Sequence, residues 1–591
     1  MRGEPRRQAQ AKAIRTVADK ILEKTVDMSI SKWLIECGYV LILNVHWIFL
    51  LLASAMALVP ILQKWTVKDW LALASLFVLV GFLLNMQPYF QAHVYNDEFY
   101  YASIGQNMAL NGRACPLIYV NHFSEAKTFD HFQPPYPQGW PYLINIFHKI
   151  FFNAKPGAGH FPIWYQAALL NKLLLVGSVV ALFIFLRFWY PLPGAWTISV
   201  TVAFLPFLLH LAQGASAELA ALNALILFAL AWASCARSFN WLNVLWLALS
   251  AAWLSQMRPE GAVALVLAFF VYACLLKGTC FSQAASDTWK KIGVAFFIFV
   301  VFSWSALWAV LVHPPQLEHH FVALARPGLT IWQNRALNLI NDGLYFVKNQ
   351  GWPLTLTLLA AIALLAALKL DILKLTSFDQ GKTAVGSDNF QAKAACGAAL
   401  WLLLITLFLA WYPFGDYACV YSFDSWRFAY VVVVPLASLA AGGFTLLWHK
   451  SRKLRLVACF LAMLALTPYF LKTASFDSPM QTDYELFLQN AVQTAAYNGV
   501  PLVLPDSHLF CPVVYRLGGQ AYVVEGLVDY DSRKLKKWRS SWPEDCRIMV
   551  VCLYQDKTDN YNLELWDGWK VNLLSQEPIT GTGLFLLQKD F

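Results

Sequence analysis

Charged residues are scarce in this chain. Asp, Glu, Lys and Arg make up 13% of its 591 residues, whereas a soluble globular protein usually carries about 25%. Apolar residues reach 58% and aromatic residues 15%. The shortage of charge excludes a soluble multidomain enzyme and a disordered chain, although it allows a soluble domain attached to a membrane part.

Other signatures are also missing. The 11 cysteines include no Cys-x-x-Cys pair, which argues against a zinc ribbon or a thioredoxin-like site. The net charge of +9 comes without a basic stripe interleaved with aromatic residues, so we expect no nucleic-acid partner. No cleavable signal peptide is predicted, because residues 1–32 are polar and basic.

Long apolar segments dominate the chain instead. A spanning helix needs about 20 mostly apolar residues, so the sequence predicts a mainly α, polytopic transmembrane helical bundle with about 11–12 spans. The candidate spans are 37–62, 69–87, 163–187, 194–212, 216–236, 240–257, 261–278, 292–312, 351–370, 394–412, 427–448 and 454–471.

Lys and Arg predict the orientation of these spans, because they concentrate in cytoplasmic loops. When the spans alternate, the basic loops 277–291, 369–393 and 449–455 fall on one side. The other side receives four segments, which are 88–162, 313–350, 413–426 and the residues after 471. We therefore expect the functional loops to be extracytoplasmic.

The two ends of the chain differ from this bundle. Residues 1–36 are basic, and Asn44 and His46 weaken segment 37–62 as a span. We expect a cytoplasmic segment 1–36, with segment 37–62 lying in the interface or re-entering the membrane. At the other end, residues 472–591 are predicted to form a small extracytoplasmic α/β domain. Its expected elements are a helix over 481–497 and strands within 500–506, 546–552 and 583–587.

Loop 88–162 is the strongest functional candidate, because loops of this length usually have a function. Asp97 and Glu98 follow an apolar segment directly, where adjacent acids are costly unless used or solvated. A solvated helix start with acids in its first turn is the alternative for this pair. Further along the loop, a helix over 99–112 precedes a proline- and aromatic-rich segment, 132–142.

These features, in this order, resemble the GT-C glycosyltransferases. The Asp-Glu pair, the surface helix and Pro134-Pro135-Tyr136-Pro137-Gln138-Gly139 are similar to the branch with protein O-mannosyltransferases and lipid A aminoarabinose transferases. Further similar motifs are Ser216-Ala217-Glu218, Arg258-Pro259-Glu260-Gly261 and Arg427-Phe428-Ala429-Tyr430. The resemblance covers the layout of residues 37–471. The first hydrophobic segment and the Arg-Phe-Ala-Tyr sequence depart from the family pattern.

The resemblance implies an integral membrane enzyme of GT-C fold. Such an enzyme moves a sugar from a polyprenyl-phosphate donor to a hydroxyl of a glycolipid, polysaccharide or protein, with inversion. Asp97 would be the general base, and Glu98 would orient the loop or bind sugar hydroxyls. Arginine suits the leaving phosphate, and the candidates are Arg427, Arg258 and Arg326. Glu218, Tyr136 and Tyr101 are the candidate substrate-binding residues.

Some alternatives stay open. Arg258 and Arg427 could simply snorkel to the interface. No cofactor is expected with certainty, although His319 and His320 are candidate ligands for a divalent metal, in a spacing that matches no metal motif. The expected partners are the lipid-linked donor, the acceptor and membrane lipids, in the bacterial inner membrane. A polytopic transporter or flippase is the alternative function. The candidate residues cluster at one face rather than at the midplane, which argues against transport.

Overall fold

The computed structural model describes parts of the chain, chiefly residues 38–86, 95–114, 138–152, 163–258, 285–312, 354–369 and 430–467, together with five short strands and a few isolated positions. The helices are α1 Tyr39–Leu62, α2 Val67–Asn85, α3 Tyr95–Asn111, α4 Gly139–Phe151, α5 Ile163–Trp189, α6 Leu192–Ala203, α7 Pro206–Leu211, α8 Glu218–Arg237, α9 Trp241–Met257, α10 Ala285–Val312, α11 Leu354–Lys369, α12 Tyr430–Lys450 and α13 Arg452–Leu464.

Five helices within this described part are long and apolar enough to cross a membrane. They are α1, α2, residues Tyr165–Trp189 of α5, α8 and α12. Most side chains of α8 and α12 are buried, whereas α1 and α2 expose apolar side chains such as Leu41, Phe49 and Phe77. An apolar exposed face of this kind suits lipid rather than water. The chain is an integral membrane protein, as the sequence predicts.

The predicted span 194–212 is wrong as a single helix. The helix ends at Ala203, and a new one starts at Pro206. Proline has no N–H group and its ring clashes with the preceding turn, so it fits best at a helix start, which is where Pro206 lies. The continuous apolar run hides this break, because both halves are buried.

The first hydrophobic segment is an unbroken helix, α1, and it is long and apolar enough to cross a membrane. Its position in the interface or as a re-entrant segment stays a prediction. Its two polar residues face other helices. His46 Nε2 donates to Leu249 O of α9 at 2.9 Å, and Tyr142 of α4 donates to Asn44 Oδ1 at 2.7 Å. Polar groups that are satisfied by protein partners do not prevent a helix from spanning.

The direction of α1 follows from its contacts with α9. Tyr39 donates a hydrogen bond to Gln256 Oε1, while His46 contacts Leu249, so the two helices are antiparallel. We call the end of the bundle at which α9 ends and α8 begins the outer end, after the predicted orientation. Residue 38 lies at this outer end. That direction agrees with strict alternation of the spans. The cytoplasmic position of residues 1–36 stays a prediction, since these residues lie outside the described part of the chain.

Cations are concentrated at the opposite, inner end. Arg187, in the last turn of α5, binds Asp69 at the start of α2 with an Nε–Oδ1 distance of 2.8 Å. Arg237 lies 4.4 Å from the ring centre of Phe188. Arg455 of α13 lies over the ring of Trp448 in the same manner. The described residues of two predicted basic loops, 285–291 and 449–455, also lie at this end.

A small mixed sheet confirms the predicted α/β domain near the C-terminus. Its strands are β1 Leu502–Leu504, β2 Ala521–Val523, β3 Arg547–Cys552, β4 Trp569–Gln576 and β5 Gly583–Lys589. The order is β2-β1-β3-β5-β4. β1 is parallel to β2 and β3, whereas β5 is antiparallel to β3 and β4. The sequence interpretation missed β2 and β4.

Candidate functional site

The acidic pair lies in the first turn of α3, which begins at Tyr95. The side chain of Glu98 is fully buried, and its Oε2 accepts a hydrogen bond from the backbone N–H of Ala215 at 3.0 Å. The backbone of Asp97 belongs to the same turn, while its side chain lies outside the described atoms. Glu98 is therefore a packed residue rather than a solvated end of a helix.

Ala215 is also bound through its carbonyl group. Trp140, at the start of α4, donates from Nε1 to Ala215 O at 2.7 Å. Asn171 of α5 donates from Nδ2 to Gly214 O and to Ser216 O, both at 2.8 Å. We call Gly214, Ala215 and Ser216 the 214–216 segment. Side chains from three helices thus hold this short connection between α7 and α8.

An ion pair closes the outer ends of α8 and α9. Glu218 is the first residue of α8, and Arg258 follows the last residue of α9. Arg258 Nη1 lies 3.4 Å from Glu218 Oε1, and the two side chains are only 7% and 1% exposed. Burial of a charge is costly, so each of these two charged groups needs the other as a partner. Arg258 therefore does not snorkel alone to the interface.

Glycine allows the turn after Arg258. Gly261 N donates to Arg258 O at 3.0 Å, which folds the chain back against α9. A Cβ atom at position 261 would lie 2.5 Å from Leu254 C and from Ser255 N. No side chain has room there, which explains the glycine in the Arg-Pro-Glu-Gly sequence.

Close contacts at two glycines hold α3 against α4, and α4 against α9. A Cβ atom at Gly105 of α3 would lie 2.8 Å from Ile144 Cγ2, and one at Gly139 of α4 would lie 2.7 Å from Gln256 O. Helix α4, with 13 residues, is too short to span the membrane. Burial raises the pKa of Tyr142 in this helix to about 12, and its hydroxyl donates to Asn44 Oδ1.

The structure brings several predicted residues to the outer end. Glu98, Glu218 and Arg258 all lie there, and the buried side chain of Tyr101 follows Glu98 on the same face of α3. Five candidates lie outside the described residues, namely Arg326, Arg427, Tyr136, His319 and His320.

Two residues that organise the site were not predicted as site residues. In the sequence, Trp140 is one of several aromatic residues in segment 132–142, and Asn171 lies inside an apolar span. A polar residue within a spanning helix is a signal that could have identified Asn171. Among the residues that the structure describes, no group of three His, Cys, Asp or Glu could hold a metal ion.

Comparison with known proteins gives structural matches only. No family model matches the sequence, and no curated protein sequence matches it. Twenty-two chains of solved structures do match it. ArnT from Cupriavidus metallidurans in the apo state is 12% identical, with a TM-score of 0.51, over 87% of this chain and 97% of that chain.

Two further matches have lower TM-scores. The same ArnT bound to undecaprenyl phosphate is 11% identical over 88% of this chain and 98% of that chain, with a TM-score of 0.48. The Archaeoglobus fulgidus oligosaccharyltransferase in complex with Zn and sulfate is 14% identical, with a TM-score of 0.48, over 76% of this chain. The match spans 62% of the length of that oligosaccharyltransferase.

The helical bundle has the GT-C fold of these membrane proteins. More particularly, the chain shares the fold of the apo Cupriavidus metallidurans ArnT over nearly the whole of that protein. The GT-C fold that the sequence motifs predict is confirmed. At 12% identity the likeness concerns the fold alone.

Proposed function

We propose that this protein is a membrane glycosyltransferase that moves a sugar from a polyprenyl-phosphate donor to an acceptor hydroxyl at the outer end of the bundle. The observation that carries the proposal is the convergence of Glu98, Glu218 and Arg258 at the end where α3 begins with the acidic pair. These residues come from three motifs that are far apart in the sequence. The shared fold with ArnT supports the same class of reaction.

Asp97 is the proposed general base. Transfer to a hydroxyl requires a group that removes its proton, and a carboxylate within hydrogen-bond reach can do so. Asp97 stands beside Glu98 in a turn of α3 that is packed against the 214–216 segment. A single displacement at the anomeric carbon, with the lipid phosphate as leaving group, inverts the configuration of the transferred sugar.

Arginines are the proposed ligands of the leaving phosphate, since their fork of N–H groups binds phosphate oxygens in pairs. Arg258 is already bound to Glu218, so part of its charge is balanced within the protein. Arg427 and Arg326 are the stronger candidates for this role on electrostatic grounds. Arg258 would then act chiefly by holding the outer ends of α8 and α9 together.

The remaining parts of the proposal concern the setting of the reaction. The concentration of cations at the inner end supports a cytoplasmic inner side, which makes the reaction side extracytoplasmic. In a bacterial cell this would be the periplasmic face of the inner membrane. The acceptor would be a glycolipid, a polysaccharide or a protein. A divalent metal, if one is used, would have His319 and His320 as its first candidate ligands.

A complementation experiment tests this proposal. Glycolipids and glycoproteins are profiled by mass spectrometry in a deletion strain that carries the wild-type protein, Asp97→Asn or Asp287→Asn. Asp287 is a matched control, because its exposed carboxylate pairs with Lys291 at the inner end. We expect wild type and Asp287→Asn to restore one glycan, and Asp97→Asn to leave it absent. Identical glycans in every strain, or full restoration by Asp97→Asn, would contradict the proposal.

A further inference from the structure

The N–H and C=O groups of Ala215 bind two separate parts of loop 88–162. Its N–H group binds Glu98 of α3, and its C=O group binds Trp140 of α4. Helix α3 precedes the sequence 115–137, and α4 follows it. One residue outside the loop therefore anchors both flanks of that sequence.

The contact of Glu98 is a specific one. A buried carboxylate is costly unless hydrogen bonds stabilise it, and a hydrogen bond from a backbone N–H to a charged acceptor is among the stronger kinds. Asn171 binds the carbonyl groups of Gly214 and Ser216, so the donor of the α3 contact, Ala215 N–H, cannot shift easily. The anchor is rigid on both sides.

We infer that Glu98 is a positioning residue, which sets the place of Asp97 through its hydrogen bond to Ala215. This inference rests on the proposed function, because it takes Asp97 to be the reacting group. Asp97 and Glu98 are neighbours in one helical turn, so fixing the side chain of Glu98 fixes the backbone of Asp97. A base that is misplaced by about 1 Å can lose about 10²-fold in rate.

The role requires a hydrogen-bond acceptor at position 98 rather than a charge. Glutamine has the same shape and its amide oxygen can accept from Ala215 N–H, whereas alanine removes the contact. We expect Glu98→Ala to lower kcat by about tenfold or more, with little change of the donor KM, and Glu98→Gln to restore most of the lost rate. Equal losses in both variants would overturn the inference, since a charge would then be needed at this position.

Hydrogen–deuterium exchange in the full-length protein gives a measurement that does not depend on activity. Glu98→Ala should speed exchange of the amides in 213–217 and in the first turn of α3, and Glu98→Gln should not. If the exchange changes as expected but no variant or wild type transfers sugar, the proposed function fails while the anchor stands. If Glu98→Ala leaves the exchange unchanged, the anchor fails.

A pair of tryptophan variants supplies the matched control for the second contact of Ala215. Trp140 and Trp246 are both fully buried, but Trp246 Nε1 has no hydrogen-bond partner among the described residues. Trp140→Phe should therefore speed exchange at 213–217, whereas Trp246→Phe should not. The same increase in both variants would mean that loss of ring volume, and not loss of the Ala215 contact, is responsible.

Discussion

Glu98 and Glu218 are both shielded from solvent, yet different partners stabilise them. Glu98 accepts from a backbone N–H group, while Glu218 faces the guanidinium of Arg258. A buried ion pair contributes little net stability, but loss of one member leaves the other charge in a poor environment. Substitution of Glu98 therefore removes a hydrogen bond to the backbone, whereas substitution of Glu218 leaves the charge of Arg258 without its partner.

The Glu218–Arg258 pair gives a prediction of its own. Arg258→Met should destabilise the protein by about 3–5 kcal/mol, because Glu218 stays buried without its cation. The double variant Arg258→Met with Glu218→Gln should recover much of that loss. Tryptophan fluorescence during unfolding of the purified protein in SDS measures the free energy of unfolding of each variant. If the two single-site losses simply add in the double variant, the pair is not coupled.

Close packing of glycine gives a second prediction at the residue scale. Gly105→Ala places a methyl group 2.8 Å from Ile144 Cγ2, and overpacking of this kind costs about 1–3 kcal/mol. Gly81→Ala in α2 is the matched control, since no atom lies within 4 Å of its added Cβ. Thermal unfolding should show a lower Tm for Gly105→Ala and an unchanged or higher Tm for Gly81→Ala. Equal Tm values would contradict the packing at α3 and α4.

At the scale of single elements, a polar residue within an apolar helix can wrongly suggest that the helix does not span the membrane. Asn44 and His46 weaken α1 as a span when only neighbouring residues are considered. Their partners, Tyr142 and Leu249, come from helices that are distant in sequence, so no local pattern reveals them. The sequence does predict the helix itself, because its length and hydropathy are local properties.

The direction of α1 leads to a topological prediction. In a variant without reactive native cysteines, Gly38→Cys should react with a membrane-impermeant maleimide from outside the cell. Lys64→Cys and Ser451→Cys, both in exposed positions at the inner end, should react only after the membrane is opened. Reaction of Gly38→Cys and Lys64→Cys from the same side would show that α1 does not cross.

At the scale of the whole molecule, the fold is far more evident from the sequence than the site. Apolar runs predict most of the described helices, and turn residues around short apolar runs predict three of the five strands. The acids and the arginine at the outer end are visible because charges are rare near apolar segments. The anchor at Ala215 is not visible, since it acts through peptide groups that every residue possesses.

The sequence also hides the way in which distant motifs meet. Glu98, Ala215 and Arg258 are separated by long stretches of chain, and only the antiparallel packing of the helices brings them to one end. Between these motifs, α5 and α8 are each long and apolar enough to cross the same bilayer thickness. Motifs in loops on the same side therefore meet at one face.

The most direct test of the central claim uses the purified full-length protein in liposomes with polyprenyl-phosphate sugars extracted from the native membrane, together with deletion-strain membranes as acceptor source. Mass spectrometry then follows the donor lipid. We predict that the wild-type protein and Asp287→Asn convert the lipid-linked sugar to free polyprenyl phosphate, and that Asp97→Asn leaves it intact. Movement of the intact donor across the bilayer without loss of its sugar, or equal conversion by Asp97→Asn, would contradict the account.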